Sequence, residues 1–228
     1  MNTLVIIPTY NEEKTIASLI SGLRQEGFES ILIVDDGNDD TARIAVNMKA
    51  KVLKGFTKRG VGAAIKRGLT WAKSQGFTHA AVIDAGGTHD PIDLAGMAFV
   101  AGTFNLSLVI GSRFCDDFEW RGIRTLVSRI AAFLMRPLVG PIKDVSNGMR
   151  IYDLSLLNRW LYLSKSNGFD FQLEALYFTK VNGGTIREFP IPYLLTISTF
   201  NWRLVVQALN TWSRLVFYTL RNKRMDLK

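Results

Sequence analysis

The 228-residue sequence is poor in residues that can build a site on their own, with one cysteine and two histidines. Cys115 has no partner for an internal disulfide. Neither His79 nor His89 has cysteine or glutamate neighbours at zinc-ligand spacing. A disulfide scaffold and a structural zinc module are both excluded, and a reducing compartment fits the cysteine usage. Six prolines and no low-complexity stretch leave no disordered linker to place. No window approaches the ~20 uninterrupted apolar residues that a bilayer-spanning helix needs. The opening MNTLVIIPTYNEE turns polar and acidic after a handful of apolar residues and has no basic n-region, so no secretory leader is expected. Acidic residues are the minority charge, 20 against 28 basic, for a net +8. That balance leaves nucleic acid, anionic lipid and phosphorylated ligands as partner classes. No aromatic–basic strand motif or recognition-helix pattern appears, so no nucleic-acid partner is expected.

The remaining composition is that of a globular protein, 47% apolar and 21% charged, long enough for one well-buried domain. Over residues 1–115, short runs rich in Val, Ile and Leu (4–7, 30–34, 51–53, 80–83 and 106–110) alternate with helical patterns at 12–25, 40–48, 62–74 and 91–100. The apolar runs do not alternate with polar residues, as suits a parallel sheet buried on both faces. Asp90 before Pro91 predicts a helix N-cap with proline at N1, and Asn11 is a second N-cap candidate. The expected fold is α/β: a Rossmann-like, doubly wound, mostly parallel sheet, with ligands at the carboxyl ends of its strands. Residues 116–200 predict helices at 122–139, 154–161 and 171–180, a loop entering a short strand at 144–151, and a strand at 184–190. No linker or repeat divides the chain, so one domain is expected.

A final helix is predicted over 201–221, where Trp202, Val205, Leu209, Trp212, Val216 and Leu220 recur at steps of three and four. From residue 200 onward, six basic residues (Arg203, Arg214, Arg221, Lys223, Arg224, Lys228) face one acid, Asp226, for a net +5. An apolar face with tryptophans and flanking cations suits a helix lying among lipid headgroups. The plain alternative is a helix docked on the core.

Polar clusters stand at four predicted strand ends: Pro8-Thr9-Tyr10-Asn11-Glu12, Asp35-Asp36-Gly37, Asp84 through Asp90, and Gly111-Ser112-Arg113. In a parallel sheet these ends converge on one crevice. It would hold carboxylates for a ribose or a metal, hydroxyl and amide groups for a base, and an arginine for phosphate. Asp39, Asp40 and Asp90 read first as helix caps. His89 reads as part of the loop after the fourth strand, and Trp71 and Trp160 as core.

Taken in order, these segments resemble the inverting A-type nucleotide-sugar glycosyltransferases, most closely the polyprenyl-phosphate (dolichol-phosphate mannose synthase-like) branch. Ile7 to Glu12 is similar to that family's opening nucleotide motif. Val34-Asp35-Asp36-Gly37, with Thr41 behind it, is similar to its DDGS-type element, and Lys58-Arg59-Gly60-Val61-Gly62 to its basic glycine loop. Gly111 to Phe114 with Trp120, Arg124 and Ser128 resembles the acceptor-phosphate segment. Asp144-Val145-Ser146-Asn147-Gly148-Met149-Arg150 resembles D-x-T-S-G-F-R. Phe171-Gln172-Leu173-Glu174 and Glu188-Phe189-Pro190-Ile191 complete the series. The resemblance runs from residue 4 to about 195. It implies an A-type fold that moves a hexose, with inversion, from a nucleotide-diphosphate sugar (GDP-mannose or UDP-glucose type) to a polyprenyl or dolichyl phosphate. It assigns nucleotide binding to Pro8, Thr9, Tyr10, Glu12, Asp35, Asp36, Lys58 and Arg59. Acceptor-phosphate binding falls to Arg113, Arg124 and Ser128, and catalysis to Asp84, Asp144 and Arg113. A divalent cation, Mg²⁺ or Mn²⁺, would sit at Asp84 with Thr88. The implied layout is a nucleotide-binding half over 1–115, an acceptor-side half over 116–200 and a membrane-interface helix over 201–228. The missing spanning segment and the basic tail lead us to expect attachment at the cytoplasmic face of a membrane, beside a separate membrane protein as a further partner.

Two departures stand out. The family's D-A-D metal motif reads Asp84-Ala85-Gly86 here, so the second carboxylate is missing. The branch's G-x-S-K-like segment reads Ser198-Thr199-Phe200-Asn201, which removes a cation near the donor phosphates. Lys58, Arg59 and Arg203 are its candidate replacements. Two alternatives follow: a transferase with a glycan acceptor, for which Asp144 is the one nominated base, and a degenerate protein that binds nucleotide or lipid without turnover.

Overall fold

The computed structural model describes residues 1–55, 57–115, 123–192 and 202–225, without the side chains of Arg124 and residues 222–225. Among the described residues seven strands make one sheet: β1 (Thr3–Thr9), β2 (Ile31–Asp35), β3 (Lys51–Lys54), β4 (His79–Val82), β5 (Leu108–Ser112), β6 (Arg150–Asp153) and β7 (Ile186–Pro190). Their spatial order is β3-β2-β1-β4-β6-β5-β7. Strand β6 is reversed against both β4 and β5, and the other neighbouring pairs are parallel. The doubly wound, mostly parallel sheet expected from the sequence is therefore present. The reversal of β6 brings the start of that strand to the edge where its parallel neighbours end.

The absence of alternation in the apolar runs has a direct cause. Leu4, Ile6, Leu32, Val34, Leu108 and Ile110 pack on one face of the sheet, and Val5, Ile7, Ile31, Ile33 and Val109 on the other. Both faces are covered. Helices α1 (Ile16–Gln25), α2 (Thr41–Asn47) and α4 (Pro91–Thr103) serve the second face. Helices α3 (Val61–Ser74), α5 (Ile123–Val139), α6 (Leu157–Trp160), α7 (Phe171–Val181) and α8 (Trp202–Met225) serve the first. Trp160 is buried in that core and Trp71 packs against it, as expected.

Several boundaries differ from the sequence reading. Helix α1 begins at Ile16, because the carbonyl of Glu12 closes a turn onto Thr15 and Ile16. Asn11 is not its cap. It adopts φ +60, and its Oδ1 accepts from the backbone N–H of Asn38. Strand β5 starts at Leu108 rather than residue 106, since Leu106 N–H still bonds the Ala101 carbonyl at the end of α4. The predicted helix over 154–161 is shortened at its start, where Leu154 N–H bonds the Thr78 carbonyl and Asp153 caps Ser155; α6 runs from Leu157 into a 3-10 turn, Leu161–Leu163. Asp90 caps α4 as predicted, accepting from Ile92 N–H at 3.0 Å. Asp40 stands at the N-cap position of α2 without a side-chain cap bond, and Asp39 Oδ1 accepts from both Thr41 N–H and its hydroxyl.

Helix α8 docks along α5 and α7, and its apolar stripe splits. Leu215 is buried against the body, with Ala208, Trp212 and Tyr218 beside it. Trp212 Nε1–H donates to the Leu134 carbonyl at 2.9 Å. Trp202, Leu209 and Leu220, from the same predicted stripe, are exposed. The cause is a polar inner edge at Thr211 and Arg214, which turns the docked face away from the stripe.

Candidate active site

The carboxyl ends of β1 and β2 are in register, with Thr9 opposite Asp35. Asp35 is fully buried; it accepts from the Thr9 hydroxyl (2.9 Å), from Gly37 N–H (3.0 Å) and from Lys54 Nζ (2.6 Å). Buried carboxylates persist only when paired and hydrogen-bonded, and this one meets both conditions. Asp36 is held by Arg67 Nη1 at 2.6 Å, and its other oxygen meets Arg59 N–H at 3.5 Å. Gly37 is required by close approach, since a Cβ there would lie 2.6 Å from both Asn11 N and Asn11 Oδ1. Thr41 joins the two loops, accepting from Glu12 N–H and donating to Asp39. Lys58 Nζ stands 3.9 Å above the exposed Tyr10 ring. Tyr10, Glu12, Asp36, Lys58 and Arg59 thus surround one corner of the sheet edge, with Pro8 and Thr9 beneath them. Burial raises the Glu12 carboxyl above its usual range, aided by the charges of Asp39 and Asp84.

At the end of β4, Asp84 faces His89, with Oδ2 and Nδ1 4.0 Å apart. That separation is too long for a direct hydrogen bond. Asp84 keeps 31% of its side-chain surface open, while the His89 ring keeps 9%. Loss of water dominates both: it raises the Asp84 carboxyl and lowers the His89 imidazole. Thr88 Oγ1 lies 3.4 Å from His89 Nδ1, so its hydroxyl is turned to the ring. Gly86 and Gly87 open onto space with no atom within 4 Å of a Cβ. Across the crevice, a Cβ on Gly148 would approach Asp84 Oδ2 to 3.0 Å, so the loop before β6 closes on the β4 end.

That loop carries the second half of the site. Asp144 is fully buried and receives the Arg113 guanidinium as a fork, Nε to Oδ2 at 2.7 Å and Nη2 to Oδ1 at 2.9 Å. Its oxygens also accept the backbone N–H groups of Arg113, Ser146 and Asn147. Burial, the largest single influence, would raise this carboxyl. The Arg113 fork and the backbone donors together outweigh it and hold the pKa below the usual carboxylate range. Arg113 Nη2 also donates to Ser146 Oγ at 3.0 Å, and Ser146 Oγ meets Ser128 Oγ of α5 at 3.5 Å.

Arg113, Ser146 and Ser128 therefore form one polar chain. The sequence reading named the first and last as site residues and missed Ser146; its place within the Asp144 to Arg150 segment was the available signal. Glu188, which the sequence offers only as part of a motif, organises this wall. Its Oε1 accepts from the Ser112 hydroxyl and Asp144 N–H, and its Oε2 from Lys143 N–H. Arg150, fully buried, donates to the carbonyls of Val145, Asn147 and Gln172 and fixes the loop to α7. Asn147 is 3% exposed, and among the described residues its side chain faces the His89 ring. Trp120, the Arg124 side chain and residues 197–201 lie outside the described residues, as do the side chains of Lys223 and Arg224 and all of Lys228.

Comparison with known proteins agrees with this geometry. The profile described as glycosyl transferase family 2 matches residues 4–161, more than half of the chain. Polyprenol monophosphomannose synthase of Mycolicibacterium smegmatis is 32% identical over 208 residues, covering 84% of this chain and 77% of that protein. UDP-N-acetylglucosamine–dolichyl-phosphate N-acetylglucosaminyltransferase of Methanococcus voltae is 28% identical over 214 residues, covering 84% and 85%. Among solved structures, glucosyl-3-phosphoglycerate synthase of Mycobacterium tuberculosis, crystallised with Mn²⁺, UDP and glucosyl-3-phosphoglycerate, superposes with a TM-score of 0.70. That match has 18% identity and covers 94% of this chain and 79% of the other, so the two share a fold. With its family profile, its relatives and its sheet in agreement, the chain belongs to glycosyl transferase family 2.

Proposed function

We propose that this glycosyltransferase moves a hexose from a nucleotide-diphosphate sugar to a polyprenyl or dolichyl phosphate, with inversion, at a membrane surface. The observation that carries the reading is the chain Arg113–Ser146–Ser128, set beside the Asp84–His89 crevice. A guanidinium positioned by a buried carboxylate, with two hydroxyls beside it, suits a phosphate monoester. Both curated relatives are named for a polyprenyl- or dolichyl-type phosphate chemistry while differing in sugar. That pattern supports the acceptor class without choosing the sugar, so GDP-mannose, UDP-glucose and UDP-N-acetylglucosamine are the donors to test.

The donor is assigned to the opposite corner. Tyr10, with Lys58 above it, offers a face for the base, and Pro8, Thr9, Glu12, Asp35 and Asp36 shape the nucleoside site. Lys58 and Arg59 meet the diphosphate. An ionised lipid phosphate oxygen attacks the sugar C1 while the bond from C1 to the diphosphate oxygen breaks, so the nucleoside diphosphate leaves with the electron pair and C1 inverts. The acceptor needs no proton removed, and the protein's task is alignment and charge neutralisation. Asp144 fits a role in holding Arg113 rather than that of a base, because it is buried, its oxygens are taken up by Arg113 and backbone N–H groups, and its lowered pKa makes it a weak proton acceptor. The glycan-acceptor alternative, which needs a base there, loses its candidate.

The described residues do not fit a protein-held Mg²⁺ or Mn²⁺. At the end of β4 Gly86 supplies no ligand beside Asp84, Thr88 turns to His89, and Asp90 caps α4. Among the described residues no group of three His, Cys, Asp or Glu side chains is placed to hold an ion. A hard cation takes about six or more oxygens. No step is derived through one.

The membrane surface is assigned to α5 and α8. Leu126, Ile130 and Phe133 of α5 point outward, as do Trp202, Leu209, Phe217 and Leu220 of α8. Arg129, Arg136, Arg203 and Arg221 are exposed around them. No described helix is long and apolar enough to cross a bilayer, so attachment in the headgroup layer fits. The cytoplasmic face and a separate membrane protein that moves the product onward complete the proposal.

The deciding experiment is transfer from GDP-mannose, from UDP-glucose and from UDP-N-acetylglucosamine to a short polyprenyl phosphate by wild type and Arg113→Ala. We expect turnover with one donor and a loss of about 10²- to 10³-fold in the variant. Nucleotide binding without transfer to any polyprenyl phosphate sinks the catalytic reading in favour of binding alone.

A further inference from the structure

We propose that Arg214 of α8, acting through the buried carboxylate of Glu174 and the loop 164–170, is a positioning residue for the donor loop that carries Lys58 and Arg59. The inference rests on the assignment of that loop to the donor.

The connection is continuous. Glu174 of α7 is 1% exposed. It accepts from Arg214 Nη2 at 2.6 Å, and the start of the loop wraps the same carboxylate through the Ser164 hydroxyl (2.6 Å), Lys165 N–H (3.3 Å) and Ser166 N–H (3.0 Å). Arg214 also reaches Ser166 Oγ at 2.9 Å. At the far end of the loop, the Thr211 hydroxyl of α8 donates to Asp170 Oδ2 at 2.9 Å, while Asp170 Oδ1 accepts Gly168 N–H. Helix α8 therefore holds both ends of the loop.

The middle of the loop presses on the donor side. The Asn167 carbonyl accepts Ala63 N–H in the first turn of α3. Lys66 Nζ donates to Asn167 Oδ1 at 2.9 Å and to the Ser164 carbonyl at 3.4 Å. Gly60 adopts φ +100, and a Cβ there would lie 2.3 Å from the Asn167 carbonyl oxygen. A Cβ on Gly62 would come within 2.6 Å of the Gly168 carbonyl oxygen. The glycines following Lys58 and Arg59 are thus seated on backbone, with no side chain between to absorb a shift.

A seam of this kind is not needed to attach the helix. On the same stretch of α8, Trp212, Leu215 and Tyr218 already dock against the body, with Trp212 Nε1–H on the Leu134 carbonyl and Thr219 on the Tyr177 hydroxyl. Thr211 and Arg214 are the polar groups of α8 that hold the loop supporting the donor side. Without Arg214, the Glu174 carboxylate is left buried without its cation. It then draws in water or a proton, and the donors from Ser164 to Ser166 lose their fixed acceptor. Displacement of a positioning element by about 1 Å is enough for large kinetic effects.

The test measures dissociation constants for GDP and UDP by calorimetry, alongside donor KM, acceptor KM and Tm. The proteins are wild type, Arg214→Ala, Arg214→Lys, Lys66→Met and the Arg214→Ala/Lys66→Met double variant. Lys66→Met removes the two side-chain bonds from α3 to the loop, keeps the backbone bond from Ala63 N–H to the Asn167 carbonyl, and leaves the Arg214–Glu174 pair in place. We expect Arg214→Ala to raise the nucleotide Kd and the donor KM about tenfold with acceptor KM unchanged. Arg214→Lys should recover part of the loss. Lys66→Met should show the same signature, and the double variant less than the sum, as coupled sites do. A fall in Tm with nucleotide Kd unchanged in both single variants assigns a merely structural role and overturns the proposal, as does an equal rise in acceptor KM. If Arg214→Ala does not fold, Arg214→Lys decides on Arg214 and Lys66→Met on the loop: nucleotide Kd unchanged in both overturns the proposal. A wild type that binds neither nucleotide overturns this proposal together with the donor assignment, whereas wild-type binding that neither variant alters overturns this proposal only.

Discussion

The proposed donor side of the crevice takes its polar groups from the ends of neighbouring parallel strands, whereas the proposed acceptor side depends on β6, the one described strand that runs the other way. On the donor side, each polar residue follows its own apolar run within a few positions. On the acceptor side, Arg113 follows β5, Ser128 sits a turn into α5, and Asp144 with Ser146 arrives from the loop before β6. Backbone register places the first set; side-chain bonds to one buried carboxylate gather the second. A site gathered this way should fail at a single residue, while the donor side should fail gradually.

The largest expected effect comes from the residue that gathers the acceptor side. Asp144→Asn leaves one acceptor oxygen where Arg113 now finds two, so turnover should fall about 10²-fold. Nucleotide Kd should stay unchanged in calorimetry; a parallel rise would mean that the two sides are one unit. The same variant has a pH signature. Asp144 is held below its unfolded range, so its ionised form stabilises the fold above the ordinary aspartate pKa of about 3.9. That contribution is lost as pH falls through the lower folded value. Wild-type Tm should therefore drop more steeply below about pH 4 than the variant's, as thermal melts from pH 7 to pH 2 would show.

A middle-sized effect is expected where the sequence departs from its family. Gly86 opens onto free space, so Gly86→Asp places a second carboxylate near Asp84 without a clash. Its Mn²⁺ affinity, read by electron paramagnetic resonance, should rise about tenfold over wild type. Wild-type transfer should persist in a chelator. Strong chelator inhibition of the wild type would show that the donor phosphates complete a cation site that the protein leaves open.

The same contrast explains what could be read from the sequence. Strands, their order of appearance and the polar residues at their ends were legible because a doubly buried parallel strand leaves an unbroken apolar run with its chemistry attached to its end. Asn11 misled as a cap because its side chain bonds across to Asn38 rather than along its own helix. The reversal of β6, the placement of Ser146 and the engagement of Asp144 depend on pairing and on a buried arginine, Arg150, none of which leaves a periodic trace. The apolar stripe of α8 was visible as a period, but the side that docks was decided by Thr211 and Arg214, whose partners lie 40 or more residues away.

That last helix provides the smallest expected effect. Its inner edge is polar and paired, whereas its outer side, with the neighbouring side of α5, leaves Phe217 68% and Phe133 74% exposed. Neither residue belongs to the site, so substituting them tests attachment apart from chemistry. Phe133→Ser and Phe217→Ser should each weaken sedimentation with anionic phospholipid vesicles about fivefold, since partial burial of an apolar side chain contributes about 1 kcal/mol. Transfer to a short, water-soluble polyprenyl phosphate should stay unchanged, while transfer to a long-chain acceptor in vesicles should fall in step with binding. If vesicle binding is the same with and without these rings, the outer faces of α5 and α8 do not meet the bilayer, and the acceptor must reach Arg113 from another side.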